Sequence, residues 1–221
     1  MLIVLVMAMG GLVLLQMDTH KNLIRVAAIH PIAVVINKIN RLSIPANNAS
    51  CLKELEQRDV EFERLAAFSQ SNRCKVEYTV RLARVGKMKL DNAPLLTCRM
   101  AMQLTEFEQD TLQPTAKRLL GSEINRLKHI GTYNCRSMRK YNGILSQHAF
   151  ANAIDVSGFV LNNGSTINVE KDWKGSEAKS KFLKAVASKA CKSFRVSVSP
   201  DSDANHFNHL HWDAGLYRSC S

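Results

Sequence analysis

Six cysteines, Cys51, Cys74, Cys98, Cys135, Cys191 and Cys220, punctuate the chain from residue 51 almost to its end, and they constrain its fold more than any other feature. No two form a C-x-x-C pair, so the spacing of a zinc ribbon is absent. An even, dispersed set reads as three disulfides, which persist in oxidising compartments outside the cytosol. The pairing stays open among many connectivities; the sequential one, 51–74, 98–135 and 191–220, is the simplest. The competing reading is six buried thiols in a cytosolic core.

The residues ahead of the first cysteine bear on export. Met1 to Leu15 (MLIVLVMAMGGLVLL) is almost wholly apolar. It suits the core of a signal sequence and falls short of the ~20 residues that span a bilayer. No Lys or Arg precedes it, and Lys21 and Arg25 follow, which by the positive-inside rule favours the opposite orientation to export. No clean A-x-A cleavage site follows either. Residues 1–17 are therefore expected as an anchor in the inner membrane or an atypical signal sequence. Residues 18–48 are expected as a linker, with a second apolar run interrupted by His30 and Pro31. The stretch SIPANNAS, 43–50, leads into a folded domain spanning 49–221.

Within that domain the patterns are mixed. Lys75–Arg81 alternates like a strand, and Asp91–Pro94 has turn chemistry. Leu95–Leu120 reads as a helix that Pro114 kinks or divides, with Gly121 as its stop. Ile124–Tyr133 and Phe194–Val198 read as strands, and Ser176–Ser188 as a helix capped by Ser176. No regular βαβ alternation is present. The expected class is α+β, with a small antiparallel sheet flanked by helices.

The chain carries 30 Lys+Arg against 19 Asp+Glu, a net charge of +11. Such a balance favours an anionic partner or is simply a solvated basic surface. The basic residues are scattered, with only short pairs such as Lys117-Arg118 and Arg139-Lys140, and no finger, arginine-rich or RNA-stacking motif is present. Nucleic acid is thereby disfavoured, and no pattern fixes an oligomeric state.

The histidines are placed unevenly. His148, His206, His209 and His211 lie in the last third beside acidic residues, in SQHAFANAID, 146–155, and DANHFNHLHWD, 203–213. On a strand, His209 and His211 leave the same face about 7 Å apart. Two imidazoles and one carboxylate around zinc leave the fourth tetrahedral position open, as catalytic zinc sites do. His148 and Asp155 are spaced for two turns of a helix. Each piece alone is a weak signal, since a single His-x-His is more often surface or core than ligand.

Together the pieces resemble the LAS zinc metallopeptidases, whose signature is Ser-x-His-x-x-Gly-x-Ala-x-Asp followed by His-x-His, and which include D-Ala-D-Ala carboxypeptidases, a murein endopeptidase and the hedgehog domain. From Cys51 to Cys220 the chain more closely resembles the bacterial extensin-like C-terminal domain family. The residues that carry this are LTC, 96–98, IGTYNCR, 130–136, LSQHAFANAIDV, 145–156, and HFNHLHWD, 206–213. The resemblance implies a LAS/hedgehog-like core with one Zn2+ on His148, Asp155 and His211. It implies His206 and His209 as base or oxyanion partner, Ser146 as a substrate or ligand contact, and Arg136 as a grip on a substrate carbonyl or carboxylate. It also implies peptidoglycan peptides as substrate and a periplasmic or extracellular location, and the net positive charge suits an anionic cell-wall polymer as partner. Two positions depart from the pattern. Asn208 stands where relatives often have Asp, which leaves any base role to a histidine. Ala151 replaces Gly and fits without strain only if its φ is negative. The hedgehog relative implies the alternative of a non-catalytic zinc-stabilised binding or signalling module.

Overall fold

The computed structural model describes residues 2–8, 11–17, 24–25, 47–139, 144–175, 177–215 and 217–221. The chain divides into two units, Met1–Ile44 and Pro45–Ser221. In the first, β1 (Leu2–Ala8), β2 (Gly11–Met17) and β3 (Ile24–Arg25) pair antiparallel, with Leu2 opposite Met17. No helix among the described residues is long and apolar enough to cross a membrane. Most of the expected 18–48 linker lies outside the described residues.

The second unit opens with α1 (Ala49–Leu55), capped by the Asn48 side chain, which accepts from the Cys51 amide. Strands β4 (Val60–Leu65), β5 (Phe68–Ser69), β6 (Lys75–Val76), β7 (Thr79–Val85), β8 (Met88–Leu90) and β9 (Leu95–Thr97) follow. The strand expected at 75–81 is broken because Tyr78 sits at φ 52. That kink lets β6 pair with β5 while β7 pairs with β4. The β7–β8 turn needs Gly86, at φ +52, where a Cβ would meet the Glu108 carboxylate at 2.6 Å.

The helix expected over 95–120 starts three residues later. Leu95–Thr97 is drawn into the sheet against β7, and the Thr97 hydroxyl then caps α2 (Cys98–Phe107) by accepting from the Met100 amide. A π-helical turn, Glu108–Leu112, links α2 to α3 (Gln113–Leu120). Pro114 lies one residue into α3 and has no N–H to give the preceding turn. The wider turn just before it absorbs the steric conflict, so the helix widens and continues instead of dividing. Gly121 ends α3 in the left-handed region, at φ 68, as expected. Glu108 is buried in this turn, which pushes its carboxyl up, and it accepts from Gln113 Nε2 at 2.8 Å. Gln113 also bonds both the amide and the carbonyl of Ile124, fixing where the next strand starts.

That strand is β10 (Ile124–Gly131); β11 (Ala153–Leu161), β12 (Thr166–Asn168), α4 (Val169–Asp172), α5 (Ala178–Ser193), β13 (Val196–Val198), β14 (Leu210–Asp213) and β15 (Ser219–Cys220) complete the domain. Helix α5 runs on to Ser193 because Lys, Ala and Cys continue it without a breaker. Its N-cap is Glu177, without a side-chain hydrogen bond; Ser176 lies outside the described residues.

The expected α+β class holds: a mixed sheet with several helices. The sheet is larger than expected, ten-stranded in the order β15-β13-β14-β11-β10-β8-β7-β4, with β12 on β11 and β9 on β7. Its β8–β10 and β13–β15 pairs are parallel. Helices pack on one face, where Phe107 meets Phe194 and Trp212 at 5.1 Å and Phe159 meets Phe182 at 5.5 Å. Trp212 is fully buried there.

All six cysteines are paired, but not sequentially. The bonds are Cys51–Cys98, Cys74–Cys135 and Cys191–Cys220, so only the last matches the sequential pairing. The reason is topological. Helix α1 lies against the start of α2, not against the β5–β6 hairpin that carries Cys74.

Candidate metal centre

The His148–Asp155 spacing is not helical. Ser146–Asn152 forms a short 3-10 turn, Gln147–Phe150, and Asp155 lies on β11 beyond it. The Ser146 hydroxyl accepts from the His148 amide at 3.3 Å, so this buried serine positions the turn. Ala151 ends the turn at φ 52, the left-handed region that the Gly of the resembled signature would enter freely. An alanine there costs about 1 kcal/mol. The conformation is held by the Thr97 amide, which donates to the Ala151 carbonyl at 2.8 Å, and by Asn152, which bonds Thr97 and Gln147.

Asp155 on β11 stands directly opposite His211 on β14. Sheet register thus fixes two of the three residues, and the capped turn delivers the third. His148 Nε2 lies 3.2 Å from His211 Nδ1 and 3.2 Å from Asp155 Oδ1, and His211 Nδ1 lies 2.9 Å from Asp155 Oδ1. A tetrahedral ion with bonds of about 2.0–2.1 Å holds its donor atoms about 3.3–3.4 Å apart. The triangle found here is close to one face of such a tetrahedron. His148, Asp155 and His211 form the group among the described residues that could hold a metal ion.

The outer ring nitrogens are also engaged. His148 Nδ1 donates to the Thr132 carbonyl at 2.9 Å, and His211 Nε2 donates to Asp213 Oδ2 at 3.2 Å. When His211 is neutral, these bonds leave its Nδ1 and the His148 Nε2 with lone pairs 2.9–3.2 Å from each other and from the Asp155 oxygen. Three lone pairs at such distances repel unless a proton or a metal cation lies between them. This is the second layer of bonds that orients histidine ligands in metal sites. The Cys74–Cys135 bond and the Asn134 amide, which donates to the His148 carbonyl at 3.0 Å, tether the segment that carries Thr132. Asp213 also braces the chain beyond β14, since its other oxygen accepts from the Gly215 amide at 2.9 Å.

His209 and His206 flank the triangle. His209 Nε2 lies 3.5 Å from Asp155 Oδ1, and its Nδ1 donates to Asn208 Oδ1 at 2.8 Å. Burial, then the neighbouring histidines, lower its pKa to about 4 despite Asp155. His206 lies on a 3-10 turn, Ala204–His206, with its ring 5.0 Å from that of His209 and 6.1 Å from that of His211. Its Nδ1 donates to Asp203 Oδ1 at 2.9 Å. Arg136 is not brought to the triangle by any hydrogen bond or ion pair among the described residues; its guanidinium donates to the Ser137 carbonyl at 3.3 Å. Its backbone carbonyl accepts from the Ser146 amide and so supports the His148 turn. Sequence reading missed Thr132 and Asp203. A Thr contributing only its carbonyl leaves no side-chain signal, whereas Asp203, three residues before His206, was legible by spacing.

In the metal-free protein the charges set a definite pH response. Burial opposes a charge on His211, but its bonds to Asp155 and Asp213 outweigh this and raise its pKa to about 9 from 6.5. Burial alone would likewise raise Asp155, but bonds from His148 and His211 hold it far below the ordinary carboxylate range. The His211 contribution to stability is full below pH 6.5 and is lost as pH rises through about 9. His209 excludes its proton down to about 4, so stability is lost as pH falls from 6.5 to 4. Asp155 adds its loss below its unfolded value of 3.8. Thermal melts of the metal-free domain are expected to peak near pH 6.5 and to fall on both sides. With saturating zinc the alkaline decline should disappear, because a ligand histidine has no such proton to lose. An alkaline decline of the same size with zinc present would argue against His211 as ligand.

An α+β sheet domain with two histidines and a carboxylate converging on one point, each with its outer atom held, defines a class of proteins with a metal-ligand constellation. The chain belongs to the family described as extensin-like protein C-terminus, which matches residues 49–221. Neither curated proteins nor solved structures gave a match.

Proposed function

We propose that the domain is a zinc-dependent peptidoglycan peptidase of LAS type that hydrolyses an amide bond in cell-wall peptides, as a carboxypeptidase or an endopeptidase. The convergence of His148, Asp155 and His211 at tetrahedral spacing carries this reading. Zinc, when bound there, supplies Lewis acidity toward a water and an amide carbonyl. The chain's own residues divide the remaining work. His206 is the better base, because Asp203 holds the Nδ1 proton and leaves the Nε2 lone pair free to take one. His209, lowered to about 4, is poorly matched to proton transfer near neutrality and instead presents its Nε2 lone pair beside Asp155. Arg136 serves as the grip on a substrate carbonyl or carboxylate, and Ser146 sets the His148 turn. Three disulfides favour the periplasm or the exterior, with residues 1–17 as signal or inner-membrane anchor.

Two observations favour a second reading, a zinc-stabilised wall-binding module without turnover: Asn208 offers no carboxylate, and His209 is a weak base. Mass spectrometry of purified muropeptides separates the two. The expected result is a cleaved product with zinc that disappears with chelator and in His211→Ala. Zinc binding without product under any condition sinks the peptidase and leaves the binding module.

A further inference from the structure

Helix α5 carries five lysines, Lys179, Lys181, Lys184, Lys189 and Lys192, and no Asp or Glu in its 16 residues. Its neighbour α3 carries Lys117 and Arg118 and no acid. The two helices are packed together, and Lys189 Nζ reaches across to Thr115 Oγ1 at 3.1 Å. Lys181, Lys184, Lys189 and Lys192 are exposed, as are Lys117 and Arg118. Among the described residues, none of the ion pairs involves Lys117, Arg118, Lys181, Lys184 or Lys192. Acids flank the two helices in sequence: Asp110 lies in the π turn before α3 and Glu177 just before α5. Basic residues that look scattered in the sequence are therefore gathered by the fold into one uncompensated layer.

The layer faces away from the metal centre. On β11 and β14 the paired Ile154 and Trp212 point toward the helices, where Trp212 meets Phe107 and Phe194. Asp155 and His211, the next residue before or after on each strand, point to the other face of the sheet. Phe159, beyond a register shift in the β10–β11 pairing, returns to the helix side against Phe182 of α5. The triangle of His148, Asp155 and His211 thus lies on the face of the β11–β14 pair opposite the helices, and at the edge of the layer Lys184 Nζ sits 6.0 Å from the centre of the Trp173 ring.

We propose that the α3–α5 layer is a docking surface for peptidoglycan itself, holding the carboxylates of its peptide stems while the opposite face is free to act on another stem. The proposal rests on the function proposed above. Charge complementarity selects an anionic polymer. A bilayer fits less well: a helix that docks on lipid inserts an apolar face, and that of α5 is buried in the core as Phe182, Leu183, Val186, Ala187 and Ala190. The exposed large apolar residues lie on neither helix. Nucleic acid fits less well because the layer has no exposed aromatic ring for a base to stack on. Lys181 and Lys192 lie about 16 Å apart along the helix axis, a row suited to an extended strand.

The test is co-sedimentation of the metal-free protein with purified murein sacculi, which needs no turnover. The triple variant Lys181→Glu, Lys184→Glu, Lys192→Glu is compared with a charge-matched control, Lys53→Glu, Arg81→Glu, Lys89→Glu, and with the milder Lys→Gln set at the α5 positions. Melting curves establish that each is folded. Wild type and control should bind at low salt and release as salt rises, with the α5 Glu set at least tenfold weaker and the Gln set between. Turnover of a soluble muropeptide should be unchanged in the α5 variants. Equal loss in the control, no binding by wild type, or tighter retention on phosphatidylglycerol vesicles or on duplex DNA than on sacculi overturns the proposal. A protein that binds sacculi in this pattern but cleaves no muropeptide overturns only the peptidase reading.

Discussion

With zinc bound as proposed, His211→Ala and Asp155→Ala are each expected to lower zinc affinity by about a hundredfold to a thousandfold, read by competition with a chromophoric chelator. Structural zinc sites with four ligands bind with about 10–16 kcal/mol, so one protein ligand is worth roughly 2.5–4 kcal/mol. The geometry predicts a graded series beneath this. Asp213→Asn keeps an oxygen for the Gly215 amide but loses the charge facing His211 Nε2, and it should cost about 10–100-fold. His206→Ala should leave zinc affinity nearly unchanged, since His206 is held by Asp203 outside the triangle. Equal losses in His206→Ala and His211→Ala would refute the ligand set drawn from the triangle of 2.9–3.2 Å.

The second large effect concerns the cross-links. Replacing both Cys74 and Cys135 by Ala should destabilise the domain by about 4 kcal/mol in urea unfolding, because that bond closes a long loop in the unfolded chain. The same variant should bind zinc more weakly, since the tether beside Thr132 and Asn134 is gone. Replacing Cys191 and Cys220 should also destabilise, by about 3–4 kcal/mol, yet leave zinc affinity intact, because that bond ties α5 to β15 away from the triangle. Peptide maps of the unreduced protein should contain the 51–98 and 74–135 links. Finding 51–74 and 98–135 peptides would contradict the fold.

Local chemistry made part of this legible in advance. Gly121 stops α3 in the left-handed region, the one place in that stretch where a Cβ would be strained. The alternation of Ile124–Gly131 and the helix within Ser176–Ser188 follow from periodicity within each segment. The even cysteine set foretold bonding, but partner choice depends on which helix lies beside which, and no local pattern carries that. Leu95–Thr97 reads as helix by composition and becomes strand through hydrogen bonds to β7, a distant segment. His148 and Asp155 have helical spacing, yet Ala151 at φ 52 breaks the helix between them. Arg136, expected at the reacting centre, contributes through its backbone in the described contacts. The four clustered histidines were visible because side-chain chemistry is written in the residues themselves, whereas the Thr132 carbonyl is not.

The direct pairing of Asp155 with His211 across β11 and β14 reaches beyond chemistry. A slip of one residue on β14 would set Leu210 or Trp212 opposite Asp155 and turn the histidine to the other side of the sheet. A misaligned chain then has no complete ligand set and cannot capture the ion. With zinc bound as proposed, metal occupancy would act as a proofreading signal, separating, molecule by molecule, chains whose C-terminal strands have closed in frame from those that have not.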